Sequence, residues 1–289
     1  MKEYLGLQFF GEYLIDRWII SREQLLQALD FQDQRNQRFG DIAIKKGLLT
    51  PAQVEVIKSR QCLADLEFGS AAVALGLLTR EQIAVISTFQ KNNNLCLGDA
   101  LLRLGHISED VLAHELEAFG SLQARYAPRQ VTVPGEVDCA DIVRAVVDAT
   151  RKMFLRVVGT PLKIGRGIVL DATEEARAPK YFVTVSVRLD GSKPVRYFLS
   201  VAQPLAERIV AALLHEDGEL DSAELMLDSV KELTNIICGN AAAMLARDGC
   251  TIEITPPLSV TAIPGPGEVR TLVFPTRSHI GGIDLRFAL

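Results

Sequence analysis

Over the first 120 residues, apolar and polar positions fall into pairs of short helical bursts that return at a fixed interval. The units read FFGEYLIDRWIISREQLLQALDFQ from Phe9, RFGDIAIKKGLLTPAQVEVIKSRQ from Arg38, EFGSAAVALGLLTREQIAVISTFQ from Glu67 and CLGDALLRLGHISEDVLAHELEAF from Cys96. Gly11, Gly40, Gly69 and Gly98 therefore stand 29 residues apart, with five-residue spacers between units. Strict self-similarity at such a period marks repeated supersecondary units. Each unit predicts two short helices. The first closes at Gly47, Gly76 or Gly105, where glycine can take the left-handed conformation of a helix C-terminus. The second opens on Ser21, Thr50, Thr79 or Ser108 as N-cap, with Gln24, Gln53 and Gln82 in capping-box position and Pro51 at a first helical position. Val111 takes that place in the fourth unit and the box is lost. Trp18 stands where the closing glycine should be in the first unit, which predicts a turn built differently, as at the capping end of an array.

The period stops after Gly120. Residues 121–136, with Pro128 and Pro134, read as a connection between a domain of residues 1–120 and a second of 137–289. A helix from Cys139 to Gly159 carries Ile142, Val143, Val146, Ala149, Met153 and Phe154 on an apolar stripe. The runs YFVTVSVRL and VRYFLSVA alternate with period two, placing Tyr181, Val183, Val185, Val187 and Leu189, then Val195, Tyr197, Leu199 and Val201, on single faces; Asp190-Gly191 between them predicts a hairpin. A short helix opened by Pro204, the acidic turn EDGELD, a long helix from Ser222 to Ala246 and strand-like pieces around TIEI, RTLVF and GIDLRFAL complete the chain. The expected architecture is multidomain: all-α helical repeats, then an α+β domain with an antiparallel sheet and long helices.

On the long helix, at 100° per residue from Met226, Val230, Leu233, Ile237, Ala241 and Met244 cluster within about 60° and predict the core face. Asp228, Glu232 and Asn235 fall at about 200°, 240° and 180°, near enough to act on one object together, and Gly239 at about 220° extends the same side. An interior glycine costs a helix about 1 kcal/mol relative to alanine. Close approach of another body, or of a neighbouring helix in the same fold, would offset that cost. The spacing equally describes the solvent face of any amphipathic helix.

Charge and composition narrow the function classes. The chain carries a formal −5, with 12 basic and 16 acidic residues up to Gly120 and 19 and 20 after it, so neither half offers the basic surface that nucleic acids need. That balance also disfavours a helix-turn-helix reader of DNA, whose outline the short helices share. The five cysteines are scattered without C-x-x-C spacing, and His106, His114, His215 and His279 share no ligand spacing, so neither a disulfide framework, a metal site nor a catalytic triad is indicated. The glycines at 165–167 and 265–267 lack the strand-loop-helix context of a phosphate loop. No run approaches the ~20 apolar residues of a membrane span and no leader peptide is apparent, which makes a cytoplasmic protein without membrane insertion the expectation.

Two resemblances add to this reading. DSVKELTNIICGNAAAMLARDG resembles the signature helix of the CheX-like chemotaxis phosphatases, the CheC, CheX and FliY group: D/S-x-x-x-E-x-x-N, then an apolar pair and G-N-A. The helix 139–158, the hairpin, AERIVAALL, the acidic loop and TPPLSV come in that family's order over about residues 137–289. The resemblance implies a hydrolase that removes the phosphoryl group from the aspartyl phosphate of a CheY-type response regulator. Mg²⁺ and a lysine would be supplied by the receiver, and no cofactor would be bound by this chain. It assigns Asn235 to orienting the attacking water, Glu232 to pairing with the receiver's lysine, and Asp228 and Gly239 to docking. The run Asp148 to Lys152 lacks a second E-x-x-N, which resembles the CheX arrangement of one site, a subtype that forms homodimers through its sheet. The repeats resemble the MshE-type N-terminal domain of type II secretion and type IV pilus ATPases, in which tandem motifs can bind cyclic di-GMP. Carried over, that site would use Arg38, Phe39, Gly40 and Gln61. Only the second unit begins with arginine, and Glu67 would repel a diphosphate. The expectation is therefore a phosphatase whose repeats dock or regulate; the alternative is a non-catalytic adaptor that binds a receiver and responds to cyclic di-GMP.

Overall fold

A computed structural model describes residues 7–289 except 65, 127–129, 171–181, 192, 215–221, 262 and 265–268. The acidic turn, His215, Tyr181, Pro128 and the 265–267 glycine turn lie outside the described residues. The chain divides into two units, residues 8–122 and residues 123–289 together with the first seven.

The first unit is helical. Its elements are α1 (Phe10–Asp16), α2 (Arg22–Arg35), α3 (Phe39–Lys45), α4 (Pro51–Ala64), α5 (Phe68–Ala74), α6 (Arg80–Asn93), α7 (Leu97–Arg103) and α8 (Glu109–Tyr126). Helix α8 continues through Gly120, well into the stretch expected to be a connection. Ser21 and Thr79 accept from the backbones of Gln24 and Gln82 while those glutamines bond back, the reciprocal cap that satisfies two orphan donors at once. Each short helix lies against its successor through the recurring glycine: a Cβ at Gly40, Gly69 or Gly98 would sit 3.0 Å from Val54, Ile83 or Leu112.

The closing turns correct one expectation. Gly47, Gly76 and Gly105 have φ of 68°, 67° and 71°, and Trp18 has φ 60°. Its amide bonds Ile15 O at 2.9 Å and that of Ile19 bonds Leu14 O at 2.9 Å, just as Gly47 bonds Ile44 and Leu48 bonds Ala43. The first turn is thus built like the others, and tryptophan endures a backbone that costs an L-residue roughly 1–2 kcal/mol.

The units pair in a nested way. Ile42, Leu49 and Ile57 of the second share a core with Ala71, Leu78 and Ile86 of the third. Tyr13, Leu14 and Ala28 of the first share theirs with Leu101, Ile107 and Leu112 of the fourth. Glutamines at the helix ends tie each pair: Gln61 donates to Leu66 O (3.3 Å), Gln90 to Gln37 O (3.1 Å) and Gln32 to Leu95 O (2.8 Å), each reaching the residue before the partner's N-cap. Phe119 occupies the corresponding place in the fourth unit and packs its ring on Phe10 and Tyr13 instead. The outer pair also buries a carboxylate. Glu115, 2% exposed, accepts from Tyr13 Oη (3.0 Å) and pairs with Arg17 Nε (2.9 Å), whereas its counterparts are the buried apolar residues Ala28, Ile57 and Ile86.

In the second unit, α9 (Ala140–Met153) runs into a π-helical turn, Phe154–Val158, and stops at Gly159, whose φ is 70°. Phe154 and Val158, the two ends of that turn, are both buried. The strands are β1 (Lys163–Ile164), β2 (Ile168–Leu170), β3 (Val183–Asp190), β4 (Val195–Val201), β5 (Glu253–Ile254), β6 (Leu258–Ser259), β7 (Thr271–Phe274), β8 (Thr276–Arg277) and β9 (Ile283–Ala288); α10 (Gln203–Leu214) and α11 (Ala223–Arg247) intervene. The main sheet has the order β2-β7-β9-β4-β3-β5, with β6 on β3 and every pairing antiparallel.

The hairpin expected from the two alternating runs is present, its ladder closing at Leu189↔Val195. Pro194 cannot donate to a ladder, so pairing stops before it. Alternating strand residues Val185, Val187, Tyr197, Leu199, Leu285 and Phe287 form one core with the apolar sides of α9, α10 and α11. Thr150 on α9 donates to Val146 O (2.7 Å) and so accepts from Tyr197 Oη (3.0 Å), which fastens that helix to the sheet. On the opposite face Ser186, Phe198, Ser200, Asp284 and Arg286 are also buried, and Arg286 pairs with Asp284.

Candidate functional site

Helix α11 begins where Ser222 accepts from Leu225 N, and its buried residues Met226, Val230, Leu233, Ile237 and Ala241 fix its rotation. Ser229, Thr234 and Cys238 are buried too, because α9 and α10 pack on either side. Only the outward sector remains. There Asp228, Glu232, Asn235 and Gly239 are all exposed. Among the described residues, the Glu232 carboxylate and the Asn235 amide have no side-chain partner, so an acceptor pair and a combined donor and acceptor face solvent less than one helical turn apart.

Asp228 differs. Its Oδ1 accepts from Lys231 Nζ at 3.1 Å, a partly exposed pair worth at most about 1 kcal/mol but enough to offset the local negative charge. Lys231 was not among the residues expected at the site; its signal is the acid-to-lysine spacing of three on one helix face.

Among the described residues, a Cβ added at Gly239 would meet nothing within 4 Å. No neighbouring helix among the described residues therefore requires this glycine, and Gly239→Ala should strengthen α11 by about 1 kcal/mol, a rise of roughly 2–4 °C in midpoint by calorimetry. A fall instead would mean that the helix needs glycine for its own conformation. The adjacent Asn240 is structural: its Nδ2 donates to Ile236 O (2.9 Å) and lies 3.8 Å from Met153 Sδ, joining α11 to α9.

On α9, where a second motif would fall, Asp148 is held by Arg151 (2.5 Å) and Lys152 (2.9 Å). Burial pushes its carboxyl up, but those two cations outweigh it and keep the group below its usual range. Thiol chemistry finds no support beside the stripe, since burial pushes Cys238 up to about 12. Among the described residues no three His, Cys, Asp or Glu side chains are grouped to hold a metal ion.

Of the residues named for cyclic di-GMP, Arg38, Phe39 and Gly40 are consecutive at the start of α3. Arg38 is exposed at the start of α3, Phe39 packs at 5.4 Å on Phe68, Gly40 faces Val54, and the Gln61 amide is engaged at Leu66, before α5. The glutamine that reaches the start of α3 is Gln90 of the third unit. Periodicity within one unit could not reveal that exchange.

Residues 183–269 match the family model of the chemotaxis phosphatase CheX, a segment that includes the whole stripe. No curated protein matches the chain. Among solved structures it is similar to a chemotaxis protein CheX from Desulfovibrio desulfuricans, at 24% identity over 52% of this chain and 99% of that one, with TM-score 0.44. It is also similar to a chain of a CheX–CheY–BeF3–Mg complex from Borrelia burgdorferi (19%, 51% and 96%, TM-score 0.40) and to FliY from Thermotoga maritima (18%, 52% and 87%, TM-score 0.41). No helix among the described residues is long and apolar enough to cross a membrane.

Proposed function

We propose that the second unit is a phosphatase for the aspartyl phosphate of a CheY-type receiver. The observation that carries this reading is the pair Glu232 and Asn235: exposed on α11, without a side-chain partner among the described residues, and inside the segment that matches the CheX family model. An acyl phosphate is already activated, so most of the helper's work is positioning. In this reading the Asn235 amide enters the receiver's site, accepts from the attacking water and donates to the phosphoryl group. The Glu232 carboxylate pairs with the receiver's lysine and sets the register of docking. Pairing with Lys231 reduces the charge that Asp228 would present to a phosphoryl group, and the bare backbone at Gly239 admits close approach of the receiver. Mg²⁺ belongs to the receiver and supplies charge neutralisation at the phosphoryl oxygens.

The test is the lifetime of a phosphorylated CheY-type receiver from the parent organism, followed with and without the full chain. Shortening in proportion to chain concentration is the expected outcome. Binding to the phosphorylated receiver with no change in lifetime would establish an adaptor in place of an enzyme.

A further inference from the structure

The left-handed turn at Trp18 combines two costs, and although the turn's backbone amides are bonded, the indole has no side-chain partner among the described residues. A φ of 60° strains an L-residue, and the indole, the only tryptophan in the chain, is 93% exposed. Single exposed apolar residues are ordinary on a protein surface. A large aromatic kept in a conformation that the sister units leave to glycine is not, and such outliers point to function. The turn is also anchored on its preceding side. Arg17, the preceding residue, is tied to the buried Glu115 at 2.9 Å and lies 5.6 Å over the Tyr13 ring. Helix α2 follows with Leu26 and Leu29 exposed.

Nested pairing sorts charge in a way that chain order conceals. The outer pair, residues 8–36 and 95–122, holds ten acidic against four basic residues, a formal −6. The inner pair, residues 37–94, holds five against seven, a formal +2. Trp18 therefore projects from the acidic lobe.

We infer that Trp18 is the anchor of an interaction surface whose partner is a basic protein face with an apolar cleft for the indole. Tryptophan is among the residues that dominate binding when inserted in a pocket, and lobe charge sets the sign of the partner and speeds encounter.

Because Trp18 is the sole tryptophan, its emission reports the site directly. The probes are two synthetic amphipathic helices with the same leucine face, one bearing lysines and the other glutamates on the polar face. The full chain should show a blue shift with the lysine helix alone, weakened by salt and by the D30K/D33K variant. A labelled lysine helix should bind Trp18→Gly at least about tenfold more weakly by anisotropy, while that variant melts higher than wild type because strain is relieved. Equal affinity for wild type and Trp18→Gly overturns the proposal, as does equal response to both helices. A blue shift on concentrating the chain alone would show a second copy to be the occupant, and one with phosphatidylcholine vesicles would show a membrane; either result also overturns it.

Discussion

Asn235→Ala is expected to abolish most of the receiver-directed activity, by about 100-fold in the rate of dephosphorylation at saturating chain, the scale of loss when a positioned reacting group is released. The side chain is exposed and makes no side-chain bond among the described residues, so its removal should leave folding untouched. The melting midpoint of the variant should match wild type within a degree or two, and its affinity for the phosphorylated receiver should fall far less than its rate. Retention of the full rate by Asn235→Ala would refute the role given to the amide. If the receiver's lifetime is unaffected even by wild type, the enzyme itself is ruled out. Glu232→Ala should show the complementary pattern, a loss chiefly in affinity, because the carboxylate is assigned to docking.

Leu233→Ala should do the reverse. Leu233 sits between Glu232 and Thr234 on α11 but points to the sheet, with none of its surface exposed. Truncation removes buried methyl groups and leaves a cavity among α9, α11 and the strands, at a cost of about 2–5 kcal/mol. Urea unfolding followed by circular dichroism should show a lowered midpoint, while the activity per folded molecule stays near wild type at low temperature. Neighbouring residues on one helix would then separate scaffold from site. A Leu233→Ala midpoint unchanged from wild type would place that side chain outside the core.

Much of this organisation was legible in the residues. Val185, Val187 and Leu189 alternate, and Val230, Leu233 and Ile237 recur at three to four, because a buried face imposes the period of its element. The polar side of α11 followed from the same arithmetic. Capping glutamines and closing glycines announced the helix ends, since those signals act within a turn of chain. The run through Gly120 to Tyr126 did not show, because a single glycine lowers helix propensity without forbidding a helix. The hairpin between the two alternating runs was legible, while Pro194, which cannot donate, decides where its ladder can begin.

The sequence by itself determined the repeat helices, the hairpin, the long helices, their apolar faces and the stripe of Asp228, Glu232, Asn235 and Gly239, because each follows from a local pattern, whereas β1, β2, β6 and β8 are too short to carry one. Tertiary structure alone decided which repeat meets which. The four units are nearly alike in local pattern, and what separates them are side chains whose partners lie far along the chain: Glu115 with Tyr13 and Arg17, Gln90 with Gln37, Phe119 with Phe10. A buried carboxylate is tolerable only where cation and hydroxyl meet it, so Glu115 favours the outer pairing and leaves the inner core apolar. The same pairing divided the charge between the lobes, and only the fold revealed that Gly239 faces open space rather than a neighbouring helix.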